Sequence, residues 1–211
     1  MALKLPQKAI VNKFIAKTKF YEKVSINSRL QKEFINKIQR ITWKYKLAED
    51  TIGISKTDKV TEIQIFEIEL KEQVIPKNVL KVIDKAIPYQ ILYQFVYKDN
   101  TAYGITLKEN NITQNYYFSE GNKDIDFVFF GIDLEKVYQK LIKVFITNEA
   151  ENSDDFDTII DTDNKIKQLE KEIETLDNKI RKEQQFNKKV EMNKSLLAKQ
   201  AQLQTIKENI A

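Results

Sequence analysis

The hydrophobic pattern of this chain changes period along its length, and that change limits the fold more than any other feature. Residues 60–71, Val-Thr-Glu-Ile-Gln-Ile-Phe-Glu-Ile-Glu-Leu-Lys, alternate and are rich in β-branched residues, so they are predicted to form a strand. Near the C-terminus, Ile159, Ile166, Leu169, Ile173, Leu176 and Ile180 recur at helical spacing, as a heptad-like seam. A second seam, Met192, Leu196, Lys199, Leu203, Ile206 and Ile210, has similar spacing but a shifted phase. The phase shift predicts two antiparallel helices packed as a coiled-coil hairpin. One uninterrupted helix of ~50 residues would leave its stripe exposed unless the protein dimerised.

Between these two regimes the pattern alternates between helix and strand. From Asn27-Ser28, Leu30, Phe34, Ile38, Ile41 and Tyr45 recur at steps of three and four, which predicts one helix capped by Asn27 or Ser28 and running to about residue 46. Pro76 opens a helix with Val79, Leu80, Val82, Ile83 and Ile87 on its apolar face, and Pro88 ends it. Tyr89–Tyr97, Thr101–Lys108 and Ile112–Phe118 are predicted as an antiparallel meander, separated by Lys98-Asp99-Asn100 and Glu109-Asn110-Asn111. A further helix is predicted from about Leu134 to Ile146. The expected fold class is therefore α/β (α+β), a mixed or antiparallel sheet flanked by helices. The expected division is an α/β domain over 1–147 with a basic N-terminal segment, an acidic linker over 148–158 and the helical hairpin over 159–211.

Composition narrows the chemistry. With no Cys and no His, thiolate and imidazole metal sites and the Ser-His and Cys-His nucleophile pairs are excluded. No cofactor is expected, and the candidate metal residues are none apart from carboxylates that suit a hard cation such as Mg²⁺. No run approaches the ~18–20 apolar residues of a membrane span, so no membrane partner is expected. The lack of Cys suggests the reducing cytoplasm. The net charge of +4 hides an asymmetry, because residues 1–60 hold 14 Lys/Arg against 5 Asp/Glu. Such an excess suits contact with a phosphate backbone, DNA or RNA. Lys32, Lys37, Arg40, Lys44 and Lys46 are the candidate contacts on the predicted basic helix.

The most specific local pattern is Phe66-Glu67-Ile68-Glu69-Leu70-Lys71, in which alternation places Glu67, Glu69 and Lys71 on one face. An acid, a spacer and a Lys at a strand end form part of the signature of Mg²⁺-dependent nucleases of the restriction-endonuclease type. Cross-strand charge pairing accounts for the same residues without catalysis. The aromatics of the meander, Tyr93, Phe95 and Tyr117 among them, are expected in the core rather than as base-stacking platforms. Trp43 lies off the main stripe of its predicted helix and is expected to pack within the domain.

Several segments resemble an uncharacterised bacterial family, domain of unknown function 4391. They are Lys8-Ala9-Ile10-Val11-Asn12-Lys13, Trp43-Lys44-Tyr45-Lys46-Leu47, Val60 to Ile68, Ile83-Asp84-Lys85-Ala86-Ile87-Pro88, and Lys182 to Glu191. Ala16, where the family pattern has a Pro, departs from it. The resemblance carries no catalytic motif. It implies a companion of helicases and DNA methyltransferases in restriction-like or anti-phage defence loci. The expected function is thus an accessory, non-enzymatic subunit that contacts nucleic-acid backbone and a helicase or methyltransferase. The hairpin, with Phe186, Lys188 and Lys189 at its turn, would dock that partner or a second copy of the chain. The alternatives are the Mg²⁺ nuclease and a pure protein–protein adaptor.

Overall fold

The computed structural model describes residues 3–109, 112–119, 121, 125–146 and 155–209. The chain divides into two compact units, Met1–Phe145 and Ile146–Ala211. In the first, a six-stranded sheet has the order β1-β2-β3-β4-β5-β6, with β1 Ile10–Phe14, β2 Ile38–Leu47, β3 Ile63–Leu70, β4 Gln90–Tyr97, β5 Asn100–Glu109 and β6 Ile112–Phe118. Neighbouring strands are antiparallel except β3 and β4, which are parallel. A parallel pair needs a crossover, and α4, Lys77–Ala86, lies between β3 and β4 in the chain.

Helices α1 (Thr18–Lys23), α2 (Ser28–Lys37) and α4 contribute to one core. Phe20, Phe34, Leu80 and Ile83 meet Phe66 and Tyr93 of the sheet there. α2 is capped as the sequence predicts: the Asn27 side chain accepts from the Leu30 N–H at 2.9 Å. A short α3, Glu49–Ile52, follows β2 and ends at Gly53 in the left-handed region, φ 69°. The helix predicted to reach Ile146 is α5, Leu134–Lys143, with Leu134, Val137, Tyr138, Leu141 and Ile142 buried.

One predicted element is corrected. The helix beginning at Ser28 stops at Lys37, and Ile38 opens a ten-residue strand. Arg40, Lys44 and Lys46 therefore stand on a strand. β-branched and aromatic residues (Ile38, Ile41, Thr42, Trp43, Tyr45) suit a pleated surface better than a helix. The strand imitates a helix in sequence because its register shifts twice, between Ile38 and Arg40 and between Trp43 and Tyr45. Each irregularity breaks strict alternation and leaves apolar residues three or four apart. The basic lead-in, whose periodicity predicted nothing, forms β1 and α1.

In the second unit, α6 (Phe156–Lys182) and α7 (Phe186–Glu208) pack together as a hairpin. α6 begins inside the predicted linker, where Asp155 caps it by accepting the Thr158 N–H at 3.1 Å. Residues 148–154 of that linker lie outside the described residues, as does Ile210 of the second seam. The turn contains neither Gly nor Pro. Its geometry is held instead by the Glu183 carboxylate, which accepts the N–H groups of Gln185 at 2.8 Å and Gln184 at 2.9 Å. These donors, Gln185 first, hold the Glu183 carboxyl below its usual range. Lys199, the polar member of the second seam, pairs with Glu172 across the hairpin, and Lys207 pairs with Glu170 at 2.9 Å.

Packing in the sheet is tight where β5 passes β6. A Cβ on Gly104 would stand 2.7 Å from Phe118 Cδ1 and 3.0 Å from Phe95 Cε2. Gly104→Ala is therefore expected to destabilise the protein by about 1–3 kcal/mol through overpacking. Phe118→Leu in the same chain should restore part of that loss in urea unfolding. Equal stability of Gly104→Ala and wild type would contradict the close approach.

Candidate functional site

The two residue sets singled out by the sequence meet each other on the sheet. Arg40 is registered opposite Glu69, and Thr42 opposite Glu67. Arg40 Nε lies 3.9 Å from Glu69 Oε1, and Lys44 Nζ lies 3.6 Å from Glu67 Oε1. Lys37 pairs with Glu72 at 3.4 Å, and Lys46 with Asp50 at 3.1 Å and Glu62 at 3.8 Å. Four of the five candidate phosphate contacts are thus matched by carboxylates, and Glu67 and Glu69 by cations. Only Lys32, exposed on α2, stands outside this ladder. Lys71 lies one residue beyond β3, where its backbone N–H donates to the Lys37 carbonyl at 2.9 Å. Among the described residues, no group of three or more acidic side chains is arranged to hold a metal ion. Phe186 opens α7 with its side chain exposed, beside exposed Lys188 and Lys189.

A second constellation was not visible in the sequence. Asp84 of α4 and Lys108 of β5 are both buried, with Lys108 Nζ 3.6 Å from Asp84 Oδ1. The same ammonium donates to three backbone carbonyls, Tyr89 at 2.7 Å, Ile87 at 2.8 Å and Asp84 at 3.2 Å. Asp84 accepts from the Tyr93 hydroxyl at 2.9 Å and from the Tyr116 hydroxyl. Tyr138 donates to the Thr106 carbonyl and accepts the Lys108 N–H at 3.1 Å. Burial pushes the Asp84 carboxyl up, against the opposing pull of Lys108 and the hydroxyl donors. Burial likewise lowers the Lys108 ammonium, opposed by Asp84. Tyr93 and Tyr116 are raised by burial and by the Asp84 charge beside them.

Lys108 has three donors, and three carbonyls accept them. All three ammonium protons are taken up by carbonyls, and the network acts as a clamp. It closes the C-terminal end of α4, where helix carbonyls lack intrahelical partners, and it fixes the Ile87–Tyr89 segment leading into β4. The one sequence signal was Asp84 itself, a lone carboxylate among Leu80, Ile83 and Ile87.

That fixed segment walls a cleft of about 220 Å³. Trp43 and Phe66 also line it, with near-parallel rings (12°) and centroids 6.4 Å apart. The Trp43 indole N–H donates to the Tyr45 carbonyl at 2.9 Å, which holds the plane of the ring. Lys19 and Lys23, one helical turn apart on α1, complete the lining, which contains no Asp or Glu. Neither lysine forms an ion pair among the described residues. The result is a preformed, aromatic-walled cleft bearing unneutralised positive charge.

This is an α+β sheet protein with a helical hairpin and a basic-rimmed aromatic cleft. The chain belongs to the family described as Domain of unknown function (DUF4391), whose model matches residues 3–203. No curated protein and no solved structure matches it. No helix among the described residues is long and apolar enough to cross a membrane.

Removing the clamp should be costly. Lys108→Met leaves the Asp84 carboxylate buried without its counter-charge, and a loss of about 3–5 kcal/mol is expected in chemical unfolding. The pH dependence has a definite sign. Because the folded Asp84 carboxyl titrates above its unfolded value, its contribution is complete below about pH 4 and is lost as pH rises through the folded value. Over that window wild type should lose stability relative to Asp84→Asn. A pH-independent difference between the two would contradict the raised carboxyl.

Proposed function

We propose that this protein is an accessory, non-catalytic subunit of a bacterial restriction-like or anti-phage defence system. It contacts nucleic-acid backbone through its N-terminal quarter and a helicase or DNA methyltransferase through its hairpin. One observation carries the nucleic-acid part: the positive excess of residues 1–60 is neutralised along β2 and at Lys37, but not at Lys13 of β1, Lys19 and Lys23 of α1, or Lys32 of α2. Lys13, Lys19, Lys23 and Lys32 are exposed there and form no ion pair among the described residues. Unmatched surface lysines release counterions from phosphates on binding, whereas paired ones must first give up a carboxylate.

The partner-binding part rests on the hairpin. Phe186 is 77% exposed at its turn, and Leu197 is 64% exposed further along α7. An aromatic anchor flanked by Lys188 and Lys189 suits a protein interface with an acidic rim.

Fluorescence anisotropy with labelled DNA and RNA, between 50 and 200 mM salt, tests the backbone contact. Four phosphate contacts predict a slope of log K against log salt of about −3 to −4. Lys19→Glu with Lys23→Glu should weaken binding and flatten the slope. A slope near zero would leave only the adaptor role. Mg²⁺-dependent plasmid cleavage that is lost in Glu69→Ala would replace this reading with the nuclease one. For the hairpin, Phe186→Ala should abolish co-elution with the helicase or methyltransferase subunit while leaving nucleic-acid affinity unchanged.

A further inference from the structure

We propose that the cleft between α1, β2 and the Ile87–Tyr89 segment seats one unpaired nucleotide of a single-stranded nucleic acid. The base lies against the Trp43 ring, which Phe66 backs from the core, and the flanking phosphates lie on Lys19 and Lys23. The inference rests on the nucleic-acid reading above and adds to it a defined site and a strand preference.

Three properties of the cleft select this ligand. At about 220 Å³ the cleft is smaller than the ~300–1,000 Å³ that holds a drug-sized molecule, so it suits one planar ring system rather than an extended cofactor. Its wall is aromatic and already held in place. Trp43 is tied to the Tyr45 carbonyl, and another part of the lining is tied through the Ile87 and Tyr89 carbonyls to Lys108. A plate held in this way stacks on a base without first losing rotamer freedom. Its charge is wholly positive. Lys19 and Lys23 are spaced four residues apart on an exposed helical turn, and no carboxylate of the lining competes with a phosphate.

A base paired inside a duplex presents only its edges, so the wall can be reached only by an unstacked base. An apolar peptide side chain would fill the same volume but would leave both ammonium groups without an anion. Stacking on an aromatic platform is tolerant of sequence, because every base has a π-face. Little base preference is therefore expected.

Trp43 is the only tryptophan in the chain, so indole fluorescence reports on this cleft alone. The full-length protein is titrated at low salt with a single-stranded thymidine decamer, with the corresponding duplex, and with thymidine 5′-monophosphate. Labelled-strand anisotropy is recorded in parallel. Saturable quenching by the single strand, absent with the duplex and at least about tenfold weaker for the mononucleotide, is the expected result. Lys19→Gln with Lys23→Gln should weaken the single strand's quenching without changing the protein's circular dichroism. Trp43→Leu should lower single-strand affinity by at least about fivefold. Trp43→Phe, which keeps a ring in place and guards against a folding defect, should bind close to wild type.

Strand binding by anisotropy with no quenching, and with Trp43→Leu unaffected, would overturn the cleft proposal while leaving the backbone reading intact. Binding by neither method would overturn both. Quenching by the mononucleotide equal to that by the decamer would overturn the strand assignment in favour of a free-nucleotide site. Equal quenching by the duplex would overturn the unpaired-base geometry.

Discussion

The buried ammonium of Lys108 is the contact on which the sheet most depends. β3 and β4 are parallel neighbours, so the chain must leave the sheet and return, and α4 makes that passage. The helix buries Val79, Leu80, Val82, Ile83 and Ala86, and its last turn leaves carbonyls without intrahelical partners. No glycine is available there to close the helix in a left-handed turn. Lys108, arriving from β5, supplies the missing donors to Asp84, Ile87 and Tyr89. Asp84 balances its charge, and two tyrosine hydroxyls satisfy Asp84 in turn. Burying such a pair is tolerable only because every member has a partner.

The clamp also shapes the surface. By fixing the Ile87–Tyr89 segment it gives the cleft of about 220 Å³ a rigid wall, and Trp43 lines the same cleft. A structural network and a candidate ligand site therefore share two residues, Ile87 and Tyr89. The β2–β3 ladder has the opposite character. There Arg40, Lys44 and Lys46 are matched with Glu69, Glu67 and Glu62, so the strand's charge is largely self-cancelling at close range. Pairs this exposed contribute about 0–1 kcal/mol each, but they decide where positive potential is left over. It is left at Lys13, Lys19, Lys23 and Lys32, of which Lys19 and Lys23 line the cleft.

Much of the architecture was legible from the sequence, and the exceptions have physical causes. The alternation of residues 60–71, the Pro76-to-Pro88 helix and the three strands after it needed only period and turn chemistry. The antiparallel C-terminal hairpin followed from a phase shift. β2 did not follow, because two register irregularities gave it apolar steps of three and four. β1 and α1 are too short and too polar to show a period. The cleft escaped for a related reason, since Trp43 was placed on a helix and so never aligned with Phe66.

The sequence by itself determined the α+β class, the order of most elements, the paired C-terminal helices and the absence of thiol and imidazole chemistry, because these depend on local period and residue type. It also set how much positive charge the first quarter carries. Only the tertiary structure decided which of those charges are neutralised, that Asp84 and Lys108 meet, and that Trp43 faces an acid-free cleft. These outcomes depend on strand register and largely on contacts between residues far apart in the chain, such as Asp84 with Lys108, and no local pattern encodes either.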